Sequence, residues 1–183
     1  MNRHTYTPDD CIAALATPWG ESALAVIRTA GPGSIEKLAS IFSRGERLMK
    51  TKSNTLILGE LLSPSDRGPI DQVMAAVYRA PKSYTGQDGV EIFCHGSVPG
   101  VRMILSALKL VGFRDAGPGE FTFRAFMNRK MDLTRAEAVA EIVSSRSERA
   151  QELAMKRLSG ALELRILSIR DRVLGLLSAL EIQ

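Results

Sequence analysis

The sequence predicts an α+β protein: a small, largely antiparallel sheet with helices on one face, followed by an all-helical segment. Three observations predict it. Short apolar runs divided by Pro/Gly-rich turns fill the first two thirds of the chain, and they lack the strict strand-helix alternation that a doubly wound parallel sheet requires. Helical periodicity interrupts them twice. From about Arg146 onward there is no proline, and the only glycines are Gly160 and Gly175.

The elements follow in order. Residues 11–17 and 21–30 are two apolar runs separated by Pro18-Trp19-Gly20, which reads as two strands joined by a tight connection. Gly31-Pro32-Gly33-Ser34 stops the second strand and caps a short helix whose apolar face is Ile35, Leu38, Ala39 and Phe42. Residues 54–62 and 70–78 are the next strands, divided by a turn cluster at 63–69 suited to a hairpin. After a polar loop at 83–88 comes a strand at 89–94. His95-Gly96-Ser97 then opens a helix with Val101, Ile104, Leu105, Leu108 and Val111 on one face.

Past Gly119 two sequences, Thr134-Arg135-Ala136-Glu137 and Ser145-Arg146-Ser147-Glu148, fit a capping box, so a helix start is expected near each. Leu162, Ile166, Ile169, Val173, Leu176 and Leu180 recur at spacings of three and four, the seam of a helix that packs along its length. That seam is read as part of a larger helical domain cut by the chain end, or as a dimerising surface. The domain boundary is expected between 118 and 119.

Composition narrows the function. No apolar run approaches the roughly 18 to 20 residues of a membrane span, and residues 1–10 lack the apolar stretch of a signal peptide. Two cysteines, Cys11 and Cys94, provide neither a disulfide framework nor metal-ligand spacing, so no metal site is expected and a cytoplasmic setting is. His95 has one possible histidine companion, His4. The net charge of +4 is spread evenly along the chain, with no basic block of the kind that marks a nucleic-acid tail. The sequence also lacks Gly-x-x-x-x-Gly-Lys-Ser/Thr, so this chain by itself is not expected to hydrolyse GTP.

Three ordered stretches carry a family resemblance: Ile12 to Pro18 with Ala25-Val26-Ile27-Arg28 and Gly31-Pro32; Ser83-Tyr84-Thr85-Gly86-Gln87-Asp88 with Glu91 and Cys94-His95-Gly96; and Pro118-Gly119-Glu120-Phe121-Thr122 through Asp132-Leu133-Thr134-Arg135-Ala136-Glu137-Ala138. Together they resemble the bacterial tRNA-modification GTPases of the TrmE/MnmE type, in their N-terminal domain and the start of their helical domain. The resemblance implies an aminomethyltransferase-like fold in residues 1–118 that binds 5-formyltetrahydrofolate or methylenetetrahydrofolate and forms a homodimer. It also implies a full-length protein that works with a flavoprotein partner on the tRNA wobble uridine, with GTP, Mg and K confined to a GTPase domain beyond residues 119–183. A stand-alone one-carbon transferase and a purely structural dimerisation module remain as alternatives.

By motif match the folate-binding residues fall on Arg28, Glu91 and Lys130; catalytic residues are left unassigned. A pterin edge presents adjacent N–H donors that one carboxylate can accept, which suits Glu91, while Arg28 and Lys130 supply positive charge. Arg124, Glu120 and Asp132 are read as structural, through an ion pair or a helix cap. Tyr84 either stacks on a ring or fixes its loop.

Overall fold

The structure is a computed structural model that describes residues 10–181. His4 and the rest of residues 1–9 lie outside the described residues. The chain divides into two compact units, Met1–Ala125 and Phe126–Gln183.

The first unit is built on a six-stranded sheet. Its strands are β1 (Cys11–Leu15), β2 (Ser22–Ala30), β3 (Thr55–Leu62), β4 (Pro69–Tyr78), β5 (Gly89–Gly96) and β6 (Phe113–Asp115), in the order β3-β4-β5-β2-β1-β6. Every neighbouring pair is antiparallel except β1 with β6, which is parallel. The short β6 was not anticipated from the sequence, where Phe113-Arg114-Asp115 offers three residues and no alternation to read.

Alternation along the strands sorts the two faces. Ile27 on β2, Val73, Ala75 and Val77 on β4, and Val90, Ile92 and Cys94 on β5 point into the core and are fully buried or nearly so. Helices α1 (Ser34–Ala39), which buries Ile35 and Leu38, and α3 (Val98–Leu110), which buries Val101, Ile104, Ala107 and Leu108 along one stripe, pack into that core. Ser97 caps α3 by accepting from the Gly100 N–H at 3.2 Å, and Pro99 falls in the first turn, where its missing N–H costs nothing. Each fully buried Ile or Leu in this core contributes about 1.5–3 kcal/mol.

Within the stretch expected to cap α1, Gly33 takes the cap position at φ 73°, and the Ser34 hydroxyl is buried inside the first turn. A second short helix, α2 (Gly45–Lys50), follows α1. Its six residues, with Leu48 as the one buried side chain, give no periodic signal.

α4 (Glu120–Met127) closes the first unit and leads into the second. There α5 (Leu133–Ser144), α6 (Glu148–Leu158) and α7 (Ala161–Glu181) follow. Helix starts do occur near both expected sites, but the caps are different residues. Asp132, not Thr134, accepts from the Arg135 N–H at 2.9 Å, and Ser147, not Ser145, accepts from the Ala150 N–H at 3.2 Å. Either cap leaves its hydroxyl or carboxylate three residues ahead of the donor it satisfies, which a capping-box reading displaced by two residues misses. Ala138 and Ala154 are buried, which lets α5 and α6 approach closely, and Arg157 pairs with Glu141 across them. Gly160, at φ 80°, ends α6 with its N–H on the Arg157 carbonyl. On α7 the described seam residues Ile166, Ile169, Val173, Leu176 and Leu180 are exposed.

Candidate functional site

Strand pairing assembles the site. β2 and β5 run antiparallel with Arg28 directly opposite Glu91, and β4 places Ala76 on the other side of Glu91. Arg28 and Glu91 therefore share the sheet face opposite α1 and α3, against which Phe121 of α4 is set. Arg28 Nε donates to Glu91 Oε1 at 2.7 Å, and Nη2 approaches the same oxygen at 2.7 Å. The second oxygen, Oε2, accepts from the Tyr78 hydroxyl at 3.3 Å. Burial, and then the negative Glu91, push the Tyr78 phenol above its ordinary pKa, so it remains a donor.

Two aromatic rings flank the guanidinium. The Arg28 Cζ lies 5.4 Å from the Tyr84 ring centre and 5.8 Å from that of Phe121. Tyr84 also bonds Thr122 Oγ1 at 2.9 Å, so it fixes its loop, one of the two roles the sequence left open. That loop is braced internally, with Ser83 Oγ donating to the Gln87 carbonyl at 2.5 Å and Gly86 at φ 76°. Arg28, Tyr78, Tyr84, Gln87, Glu91 and Phe121 wall a cavity of about 310 Å³. A smaller cavity of about 220 Å³, bordered by Ala14, Ala16 and Thr122, also touches Arg28 and Phe121.

Behind the cavity sits an ion cluster. Arg124 is fully buried and donates to Glu120 Oε1 at 2.9 Å, to the Asp10 carbonyl at 2.8 Å and to Gln87 Oε1 at 3.2 Å, and it pairs with the Asp10 carboxylate. Arg114 donates to both Glu120 oxygens, at 2.6 and 2.8 Å, and to Asp10 Oδ2 at 2.5 Å. Burial by itself would raise the Glu120 pKa; bonds from Arg114, the Gly117 N–H and Arg124 outweigh it and hold the carboxyl down at about 2. Glu120 and Arg124 are thus structural, as the sequence reading had them, and Asp132 is the cap of α5.

Lys130 belongs to the second unit. It lines a hollow with Met127, Arg129, Asp132 and Arg135, in the turn between α4 and α5. Tyr78, Gln87 and Phe121 went unassigned in the sequence reading. For Tyr78 a signal existed, because it continues the outward alternation of Met74 and Ala76 on β4; Gln87 lies in the recurring stretch Ser83–Asp88, but nothing local marks its role.

His95 Nδ1 lies 2.7 Å from Asp71 Oδ1, and Cys94 faces the core. Among the described residues no three His, Cys, Asp or Glu side chains are grouped to hold a metal ion, and no helix is long and apolar enough to cross a membrane.

The family model described as the GTP-binding protein TrmE N-terminus matches residues 11–130, a span that contains Arg28, Glu91 and Lys130. The chain belongs to this family. Similar proteins include the tRNA modification GTPase MnmE of Borreliella afzelii, 47% identical over 174 residues, which cover 95% of this chain and 38% of that protein. Those of Treponema denticola and Carboxydothermus hydrogenoformans are 43% and 42% identical, over 97% and 95% of this chain. The chain spans 38% of the length of each of these family members.

Proposed function

We propose that this chain is the folate-binding and dimerising portion of a tRNA-modification GTPase. The single observation that carries the reading is the Arg28–Glu91 pair set between the rings of Tyr84 and Phe121 in one cavity. A cavity of about 310 Å³ suits the flat bicyclic head of a reduced folate, at the small end of ordinary ligand sites. Glu91 accepts from the adjacent N–H donors of the pterin; each carboxylate oxygen has two lone pairs, so bonds from Arg28 and Tyr78 do not exhaust it. Arg28 and Lys130 supply positive charge for the anionic tail. The bound folate, 5-formyltetrahydrofolate or its methylene form, supplies a one-carbon unit, and the chain's own residues orient it.

Exposed apolar side chains on the sheet face that carries Arg28 and Glu91 support dimerisation through this unit. Leu58, Met74, Phe93 and Val26 form one cross-strand row from β3 to β2, with Leu58 and Met74 exposed, and the Glu91–Arg28 row lies two residues along. An apolar row of this kind beside a ligand cavity fits a second copy of the chain. In the whole protein, a flavoprotein partner, tRNA with its wobble uridine, and a GTPase domain with GTP, Mg and K complete the activity.

Calorimetric titration with 5-formyltetrahydrofolate tests the site. Arg28→Ala, Glu91→Ala and Lys130→Ala are each expected to weaken binding by about tenfold or more, the worth of a charge-assisted bond. Three variants that all bind within twofold of the parent would end the assignment.

A further inference from the structure

On the first unit, the sequence's evenly spread positive charge becomes locally concentrated. Arg44, Arg47 and Lys50 come from α2 and its approach, and Arg67 comes from the β3–β4 turn about twenty residues later; all four line one open hollow of about 730 Å³. The lone carboxylate there, Glu46, is committed to Lys50 at 3.6 Å and is almost fully exposed. Among the described residues no carboxylate lies within ion-pair distance of Arg44, Arg47 or Arg67.

The hollow is also held in shape. Arg67 sits at φ 60°, a left-handed conformation that a non-glycine residue adopts at a cost, and its Nη1 donates to the Ser40 carbonyl at 2.5 Å. Phe42 forms a buried floor bridged to Leu61, and Ser43 exchanges two bonds with the Glu60 backbone, at 2.8 and 2.9 Å. Uncompensated like charges repel one another, and an arriving polyanion relieves that repulsion.

We propose that this hollow docks the phosphate backbone of tRNA. The inference rests on the tRNA-modification reading above. The shape favours a polymer over a single small anion, because the cations are spread across a broad opening and are side chains rather than a cradle of backbone N–H groups. It favours backbone over base contact, because Phe42, the one aromatic side chain present, is buried and offers no stacking face. The hollow therefore positions tRNA without reading its sequence.

The experiment is fluorescence anisotropy of the full chain with labelled unfractionated tRNA across a salt series, for the parent and an Arg44→Glu/Arg47→Glu/Arg67→Glu variant. The variant should bind at least tenfold more weakly, with a log-log salt slope shallower by about 2 to 3. An Arg→Gln version of the same triple, expected to shift in the same direction, guards against misfolding of the charge-reversed chain. The proposal is overturned if both variants bind tRNA within twofold of the parent. Displacement of tRNA by inorganic phosphate at matched ionic strength would make this a small-anion site and overturn it too, as would loss of binding to anionic phosphatidylglycerol vesicles alone. Titration of the same variants with 5-formyltetrahydrofolate separates the two readings, since folate binding should survive the loss of tRNA binding.

Discussion

Arg124 Nη1 donates to Gln87 Oε1 at 3.2 Å, so an ion cluster centred on a fully buried guanidinium reaches the wall of the Arg28–Glu91 cavity. A guanidinium can only donate. It therefore fixes the Gln87 amide with its oxygen toward Arg124 and its nitrogen turned away. Through this contact the start of α4, which also brings Phe121, is tied to the loop that brings Tyr84.

That cluster makes the fold sensitive to acid. Glu120 is depressed to about 2 in the folded chain and returns to the ordinary carboxylate range near 4.3 on unfolding. Its stabilisation is complete above that ordinary range and is lost as pH falls toward 2. Urea midpoints measured from pH 6 to pH 2.5 should decline over that interval. Glu120→Gln should lower stability at pH 7 by about 1–3 kcal/mol, because buried Arg124 loses one charged partner while keeping Asp10, and should flatten the acid decline. A variant with the parent's stability and the parent's pH profile would refute this account.

Tyr78 holds the second oxygen of Glu91 and should tune ligand binding more than stability. Tyr78→Phe is expected to reduce 5-formyltetrahydrofolate affinity by about 3- to 10-fold, the net worth of one hydrogen bond, with the melting temperature nearly unchanged. Calorimetry paired with thermal denaturation reads both. Unaltered affinity would mean that the hydroxyl does not help to set the carboxylate.

The two cysteines should be inert in the native chain. Burial, and then the negative Asp71, push the Cys94 thiol up to about 11, and burial likewise raises Cys11. Both side chains are almost inaccessible. At pH 8 an aromatic disulfide reagent should modify them at least on the order of a hundredfold more slowly than in denaturant. Fast labelling of the folded chain would contradict the packing of β1 and β5.

What could be read in advance divides along physical lines. β2, β4, β5 and α3 announce themselves, because a period of two or of 3.6 in apolar residues is imposed by burying one face. α2 and β6 do not, since Gly45–Lys50 is a six-residue segment with one buried side chain and Phe113–Asp115 is too short to show a period. The helix caps were misplaced by two residues because Ser, Thr and Asp all cap well and crowd both starts. Of the cavity, Arg28 and Glu91 were legible through the family's recurring stretches. Gln87 stands in one of those stretches, but its role was not legible, because it depends on Arg124, thirty-seven positions away.

Composition and pattern alone therefore determined the α+β class and the helical second part, and three motif-bearing stretches pointed to the family. Tertiary structure decided which side chains meet: Arg28 with Glu91 across 63 residues, Asp10 with Arg124 across 114, and Arg67 with the cations of α2. Local sequence is governed by burial and backbone preference over a few neighbours. Partners this distant are selected only when strand register and turn geometry have set the chain's course.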